Sequence, residues 1–449
     1  MKILIIGAGR SSTELIDYLL KQSLTYKWVI TVADFNVELA KSKINGHPNG
    51  HAVWLDVKKH NDRQDLIKRA DIVVSMLPAF MHLPVAEDCI RFKKHFISAS
   101  YVSNELQELA DQVKDNGLLF MGEMGLDPGI DHMSAMQKID EIKNAGGKLT
   151  AFRSYTGGLI APESDDNPWH YKFTWNPRNV VLAGQGTAQF IQDGKYRYTP
   201  YRRIFSQHQV IDILGMGEYE VYPNRDSLVY KDVYGLNDIP NMVRGTIRHT
   251  GYCDAWNVLV KIGLTDDSYP IVHSDKMTYY DLVNAYVGDF PGKTIRDRVA
   301  NLMDISIESE IMTKLDWLGL FSKKKIKLKN ASPAQILESL LLEKWTLKPT
   351  DKDMIIMQHE FEYELNGQEK HLTTTLVLKG KDDVHTAMAQ LVGLPLGIFV
   401  KLVITGKVKL TGVNIPVMSQ VYNQVLEELE EYGVIFKEKE VILSSKVEV

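Results

Sequence analysis

Apolar residues in the first 130 positions fall in short runs separated by stretches of helical spacing. Ile3-Leu4-Ile5-Ile6 reads as a buried strand, after which Leu15, Ile16, Leu19 and Leu20 recur on one helix face. Further strands are predicted at Trp28 to Ala33, Ala52 to Leu55, Ile72 to Ser75, Phe96 to Ser98 and Leu118 to Met121. Strand and helix alternating at this pitch predict a doubly wound parallel α/β sheet with right-handed crossovers.

The texture changes after Asp131. A helix from about His132 stops at Gly146-Gly147. Between Leu149 and Val260 come short strands, paired glycines, tyrosines and scattered arginines, without the earlier rhythm. Helices are predicted at 281–287, 294–303, 308–318 and 334–343, and residues 275–350 read as an insertion. Met354 to Phe361 and Leu372 to Leu378 then flank Asn366-Gly367, a hairpin signal that resumes a sheet.

Composition narrows the class. The 449 residues are 44% hydrophobic and 24% charged, so a globular chain of two or three domains is expected. The 52 basic and 57 acidic residues nearly cancel, which offers no basic surface for nucleic acid and no polybasic membrane anchor. Two cysteines, Cys89 and Cys253, provide neither a disulfide framework nor a thiolate metal site. The longest apolar run, Val392 to Thr405, is broken by Lys401 and reads as too short to span a bilayer. Met1 to Ile6 stops at a glycine turn rather than a cleavage site, so a cytoplasmic protein is expected.

Gly7-Ala8-Gly9-Arg10-Ser11-Ser12 follows the first strand and opens the first helix. Glycines there permit a tight turn and close approach of a pyrophosphate, and the helix N-terminus offers unpaired N–H groups. Asp34, 25 positions beyond Gly9 at the end of the second strand, completes a dinucleotide fingerprint. Its carboxylate suits the ribose hydroxyls of NAD. A 2′-phosphate ~4 Å away would be repelled by up to about 4 kcal/mol at intermediate dielectric, and Phe35 and Asn36 supply no cation. NAD is therefore expected, with NADP as the alternative. Asp56 reads equally as an adenine contact or a helix cap. Met76-Leu77-Pro78 closes the fourth strand where a nicotinamide ribose would lie.

Three segments carry candidate substrate chemistry. Ser98-Ala99-Ser100-Tyr101-Val102 lies at the carboxyl end of a strand, where ligands of open α/β sheets bind. In Gly122 to His132, Pro128-Gly129 predicts a type II turn and Asp131 an N-cap, which leaves Asp127 as the acid–base candidate and His132 ambiguous. Asn224-Arg225-Asp226-Ser227 goes with Val243 to Arg248, where Arg244, Thr246 and Arg248 share one face of an extended strand. Several arginines in a neutral domain point to a small substrate with more than one carboxylate. One arginine alone would read as a surface ion pair. No metal is expected, since the lone i,i+4 histidine pair, His47 and His51, has Pro48 and Gly50 between its members.

Together these segments resemble the glutamate-forming saccharopine dehydrogenases, also called saccharopine reductases. The likeness runs through Gly125-Leu126-Asp127-Pro128-Gly129-Ile130-Asp131-His132, Gly157-Gly158-Leu159-Ile160-Ala161-Pro162-Glu163, Asp166-Asn167-Pro168 and Tyr171-Lys172-Phe173-Thr174-Trp175. It continues in Tyr222 to Ser227, Arg244-Gly245-Thr246-Ile247-Arg248 and Trp317-Leu318-Gly319-Leu320-Phe321. The resemblance implies a Rossmann-like domain at 1–128 to which about 385–449 returns. It also implies a mixed α/β substrate domain at 129–274 and 351–384, with the all-helical insertion at 275–350. The implied reaction is reversible hydride transfer between a nicotinamide and the C–N bond joining glutamate to aminoadipate semialdehyde, in lysine metabolism. Substrate contacts carried over are Ser100, Tyr101, Asp127, Arg225, Arg244, Thr246 and Arg248, and Leu126 and Trp175 join the cofactor contacts. Asp127 and Tyr101 are the ionisable groups expected nearest the imine. Thr156 stands where fungal members have a cysteine, which removes a thiol role, and those members have an arginine near the position of Asp34. A homodimer is one expected state. Competing readings are a carboxynorspermidine dehydrogenase-like reductase and a non-catalytic nucleotide-binding sensor.

Overall fold

The computed structural model describes residues 1–445. Its strands, in chain order, are β1 (Lys2–Ile6), β2 (Val29–Asp34), β3 (Gly50–Trp54), β4 (Ile72–Ser75), β5 (His95–Ser98) and β6 (Leu119–Met121). They continue with β7 (Lys148–Ile160), β8 (Thr187–Gln192), β9 (Lys195–Pro200), β10 (Gln209–Ile213), β11 (Gly217–Pro223) and β12 (Asn241–Arg248). The last are β13 (Asp353–Leu365), β14 (Gln368–Lys379), β15 (Gly412–Asn414) and β16 (Lys437–Ser445). The chain divides into two compact units, Met1–Lys148 with Leu376–Lys437, and Leu149–Thr375 with the final strand.

The first unit is built on a parallel sheet of order β15-β6-β5-β4-β1-β2-β3. The sheet's centre is continuously apolar: Ile3, Leu4, Ile5 and Ile6 are all buried, as a parallel strand covered on both faces requires. The helix Ile130–Asn144 belongs to this unit, so the unit runs past residue 128, and the return begins at Leu376 rather than near 385.

The apolar run at 392–405 lies in an 18-residue helix, Ala387–Ile404, which is long and apolar enough to cross a membrane. The expectation that it is too short is corrected. However, 72% of that helix is buried inside the protein, where it packs on the helix Thr13–Tyr26 as a core element. Two glycines make this approach possible. A Cβ at Gly393 would lie 2.6 Å from the Leu15 backbone nitrogen, and one at Gly397 would lie 2.6 Å from the Tyr18 ring.

In the second unit the sheet runs β10-β11-β12-β7-β13-β14-β16, with β8 pairing β12 and β9. It is mixed, since β12 pairs parallel with β7 and antiparallel with β11. Helices form at Tyr279–Val287, Ile295–Met303, Glu310–Leu318 and Pro333–Trp345, where sequence periodicity predicts them. Three of them begin with a reciprocal capping box: Thr278 with Asp281, Thr294 with Asp297, and Ser332 with Gln335. Their apolar faces share one hydrophobic cluster with Trp169, Tyr171, Phe173, Tyr252 and Trp256 from outside the helical block. Amphipathic helices this short cannot bury their apolar faces alone, so the block has no core separate from the rest of its unit.

Candidate active-site residues

The turn after β1 has the conformation a nucleotide phosphate needs. Gly7 sits at φ +107°, and a Cβ there would lie 2.9 Å from the Met76 carbonyl oxygen, so only glycine lets the turn pass under the end of β4. Gly9 has open space around its missing Cβ, and Gly9 and Arg10 are exposed, which leaves the amide end of the turn open to an anion. Ser12 N–H bonds the Gly9 carbonyl at 3.1 Å, Ser11 is half-buried and Ser12 is buried. These features fit a dinucleotide, whose nicotinamide supplies the hydride chemistry when bound.

Asp34 is anchored at this turn. Its two carboxylate oxygens accept N–H bonds from Ala8 at 2.6 Å and Asn36 at 2.7 Å. Its chain neighbours Phe35 and Asn36 carry no charge, but a cation arrives from elsewhere in the chain. Lys43, from the helix Val37–Ile44, reaches back to donate to the Gly9 carbonyl and, at 3.1 Å, to Ser12 Oγ. Burial pulls its ammonium down to about 8, while Asp17 and Asp34 act to raise it. The signal for Lys43 in the sequence was nil, because the contact spans 34 residues.

Asp56 caps no helix. Its carboxylate accepts the Lys58 N–H at 3.1 Å and its carbonyl the Lys59 N–H at 2.8 Å, while the helix His60–Arg69 is N-capped by Lys59. More conspicuous near the ends of β2 and β3 are Phe35 and Trp54, 70% and 42% exposed with ring centroids 6.0 Å apart. Large exposed aromatics offer a flat apolar surface to an adenine ring. Met76 and Leu77 are partly buried and Pro78 is exposed, directly after β4.

The loop around Asp127 differs from the expected type II turn. Asp127-Pro128 is cis, and Gly129 adopts φ +145°, ψ −87° as the N-cap of the helix Ile130–Asn144. A Cβ at Gly129 would lie 2.0 Å from the Gly125 carbonyl oxygen, so the close approach selects glycine. Asp131 therefore sits inside the first turn, not at the cap, and its Oδ1 accepts the Gly129 N–H at 2.6 Å. Glu123 ties the neighbouring loops together. Its N–H bonds the Ser100 carbonyl at 2.9 Å, its Oε1 accepts Val102 N–H at 3.1 Å, and its Oε2 meets His132 Nε2 at 2.8 Å. His132, wholly buried, is thus a structural partner of Glu123.

This scaffold brings Tyr101 and Asp127 together, with Tyr101 Oη 3.4 Å from Asp127 Oδ1, both half-buried. Leu126, beside Asp127, is buried. Ser100 Oγ lies 2.8 Å from His82 Nε2, a histidine that sequence reasoning missed. A carboxylate and a phenol this close can orient an amine and pass a proton.

In the second unit, the turn at 224–227 is pinned to β12. Asn224 N–H bonds the Arg244 carbonyl at 2.9 Å, and Ser227 Oγ accepts the Arg244 N–H at 2.8 Å. The two arginine segments are therefore neighbours. Arg225 is exposed at φ +49°, whereas Arg244 is 7% exposed with its guanidinium 4.6 Å from the Tyr230 ring centre. Arg248 is 3% exposed and surrounded by the rings of Tyr171, Tyr252 and Tyr222, at 5.1, 5.3 and 5.8 Å. Among the described residues no carboxylate pairs with it, and its Nε has no hydrogen-bond partner. Burial works against its charge, but the tyrosine oxygens hold its pKa above the ordinary arginine value. The surface ion-pair alternative does not apply to such a residue. Thr246, half-buried, pairs in register with Thr156, whose buried Oγ1 also lacks a partner. Trp175 is partly buried against the aromatic cluster of the same unit.

Among the described residues, His208, Glu220 and Asp254 place donor atoms within 4.8 Å of one another. Glu220 already accepts the Gly251 and Cys253 N–H groups at 2.5 and 2.8 Å, so it caps the helix Tyr252–Ile262.

Known proteins resemble this chain over nearly its whole length. Residues 3–121 match the saccharopine dehydrogenase NADP binding domain and residues 125–434 the saccharopine dehydrogenase C-terminal domain. The chain is 34% identical to the saccharopine dehydrogenase (NADP+, L-glutamate-forming) of Pyricularia oryzae, over 97% of this chain and 98% of that protein. It is 32% identical to the mitochondrial alpha-aminoadipic semialdehyde synthase of Bos taurus, over 97% of this chain and 47% of that one. The apo saccharopine dehydrogenase (L-Glu forming) of Saccharomyces cerevisiae has the same fold, with a TM-score of 0.88, 32% identity and coverage of 98% and 99%. Two saccharopine dehydrogenase domain models matched in succession, and identity above 30% over nearly the whole length of a relative, show that this chain belongs to the saccharopine dehydrogenase family.

Proposed function

We propose that this chain is an oxidoreductase that interconverts saccharopine with L-glutamate and 2-aminoadipate 6-semialdehyde, using a nicotinamide coenzyme. The observation that carries the reading is Arg248, a buried guanidinium with no carboxylate among the described residues. A buried unpaired cation is costly and persists where a ligand supplies the anion. Saccharopine carries three carboxylates, and Arg244, Arg248 and the exposed Arg225 are the groups that would hold them by charge-assisted bonds. Thr246 adds a hydroxyl on the same strand. Asp127 and Tyr101 are assigned to the substrate nitrogen, where one accepts and the other donates a proton, and Ser100 is assigned to a substrate oxygen. In the oxidative direction, a hydride leaves the carbon beside the amine, and water then adds to the resulting imine to release glutamate and the aldehyde.

The test is turnover of saccharopine against carboxynorspermidine, with coenzyme binding measured in parallel. Saccharopine oxidation with a stoichiometric yield of glutamate is expected. Turnover of the polyamine alone would favour that reductase reading, although a polyamine calls for acidic contacts rather than guanidinium groups. Binding of NADH without hydride transfer to any imine would favour the sensor.

For the coenzyme, we infer a preference for NAD, because the Asp34 carboxylate stands at the end of β2 beside the turn. Lys43 supports the alternative, NADP, as do the fungal relatives, which are named for NADP+. The expected outcome is a higher kcat/KM with NAD, reversed in Asp34→Arg. A preference for NADP in the unmodified protein, lost in Lys43→Glu, would transfer the choice from Asp34 to Lys43.

A further inference from the structure

His82 opens the helix His82–Arg91, one short turn (Ala79–Met81) beyond the Met76-Leu77-Pro78 segment, and is 2% exposed. Its ring lies between the carboxyl ends of two adjacent strands. Nδ1 is 2.9 Å from Oγ of Ser75, the last residue of β4, and Nε2 is 2.8 Å from Oγ of Ser100, two residues beyond β5. Phe96 meets the imidazole edge-on, with centroids 6.0 Å apart. Burial lowers the His82 pKa to about 4, so the imidazole is neutral at physiological pH. A neutral imidazole has one donor and one acceptor nitrogen, so it must donate to one serine and accept from the other.

We propose that His82 is a positioning residue that fixes the direction of the Ser100 hydroxyl, and through it the hold on the amino-acid substrate. The inference rests on the assignment of Ser100 to the substrate made above. A serine hydroxyl otherwise rotates among staggered positions, and its backbone does not constrain it. Here the Ser100 carbonyl is already held by the Glu123 N–H at 2.9 Å, so the loop is fixed independently and the hydroxyl is the remaining freedom. The Ser75 end matters because it selects the tautomer: whichever role Ser75 imposes on Nδ1, Ser100 receives the opposite one at Nε2.

Asparagine and glutamine separate the two nitrogens. His82→Asn retains a polar atom near the place of Nδ1 and loses the Ser100 contact. His82→Gln reaches toward the place of Nε2 and keeps that contact. Steady-state kinetics with saccharopine would be measured for both, for Ser100→Ala and for the Asn/Ala double variant. The KM for saccharopine is expected to rise about tenfold in H82N, the scale of one neutral hydrogen bond. H82Q should stay near the unmodified value, and the coenzyme KM should not move in either. The double variant should be no worse than Ser100→Ala, because the two changes remove the same interaction. Equal losses in H82N and H82Q, or full additivity with Ser100→Ala, would overturn the proposal. If Ser100→Ala itself leaves the KM for saccharopine unchanged, the assignment of Ser100 fails first, and a defect in H82N alone would then mark a different role. Should H82N not fold, nitrogen-15 spectra of the unmodified protein decide: saccharopine should shift Nε2 of His82 more than Nδ1, and an unmoved Nε2 would refute the idea.

Discussion

Arg248→Met is expected to abolish turnover of saccharopine while leaving the protein as stable as before or more so. The two halves of this outcome have one cause. The guanidinium is buried without a carboxylate, and its Nε is unpaired, so the free protein bears the cost of a desolvated charge. Methionine fills a similar volume, and its sulfur packs well against the Tyr171, Tyr222 and Tyr252 rings. Replacing buried charge with well-packed apolar groups is often neutral or stabilising. The loss of function follows from two charge-assisted bonds to a carboxylate at roughly 1.5–3 kcal/mol each, which is about 10²–10⁴-fold in kcat/KM. Coenzyme affinity should hold, since the glycine turn belongs to the other unit. Kinetics, coenzyme titration and calorimetry on one preparation check all three. A lower melting temperature with unchanged kcat/KM would mean that Arg248 serves the fold and not the substrate.

The second large effect is expected at Gly129. Alanine there would put a Cβ 2.0 Å from the Gly125 carbonyl oxygen, at a φ of +145° that an L side chain rarely adopts. Overpacking and backbone strain each cost about 1–3 kcal/mol. The loop must then open, because the Gly125 N–H to Pro128 carbonyl bond (3.0 Å) and the Ile130 N–H to Gly125 carbonyl bond (2.9 Å) close around that contact. Asp127 lies within this closure, and a displacement near 1 Å at a reacting group costs on the order of 10² in rate. Urea unfolding and kcat measured for Gly129→Ala should both fall. Gly146→Ala is the control, with φ +87° but open space around its Cβ, and it should lose stability alone. Equal effects at the two glycines would argue that the tight loop does not position Asp127.

Much of the molecule was legible from residues close together in the chain. Ile3 to Ile6 could only be a covered strand, and Gly7 and Gly9 before Ser12 could be read as a phosphate turn, because a run, a turn and a cap are properties of a few consecutive residues. The same holds for the alternation that puts Arg244, Thr246 and Arg248 on one face of β12. What those side chains meet was decided only by the fold. Arg248 is caged by Tyr171 and Tyr222 from distant segments and by Tyr252 on the helix that follows, which makes it a buried cation with no carboxylate partner among the described residues. Lys43 reaches the glycine turn from 34 positions away, and His82 joins the ends of two strands. The cap expected at Asp131 passed to Gly129 because of a backbone contact with Gly125 that no propensity encodes. Periodicity determines which elements form, since it acts within a turn or a strand. Burial, charge pairing and close approach depend on residues brought together from afar, and so the chemistry of the site belongs to the tertiary structure.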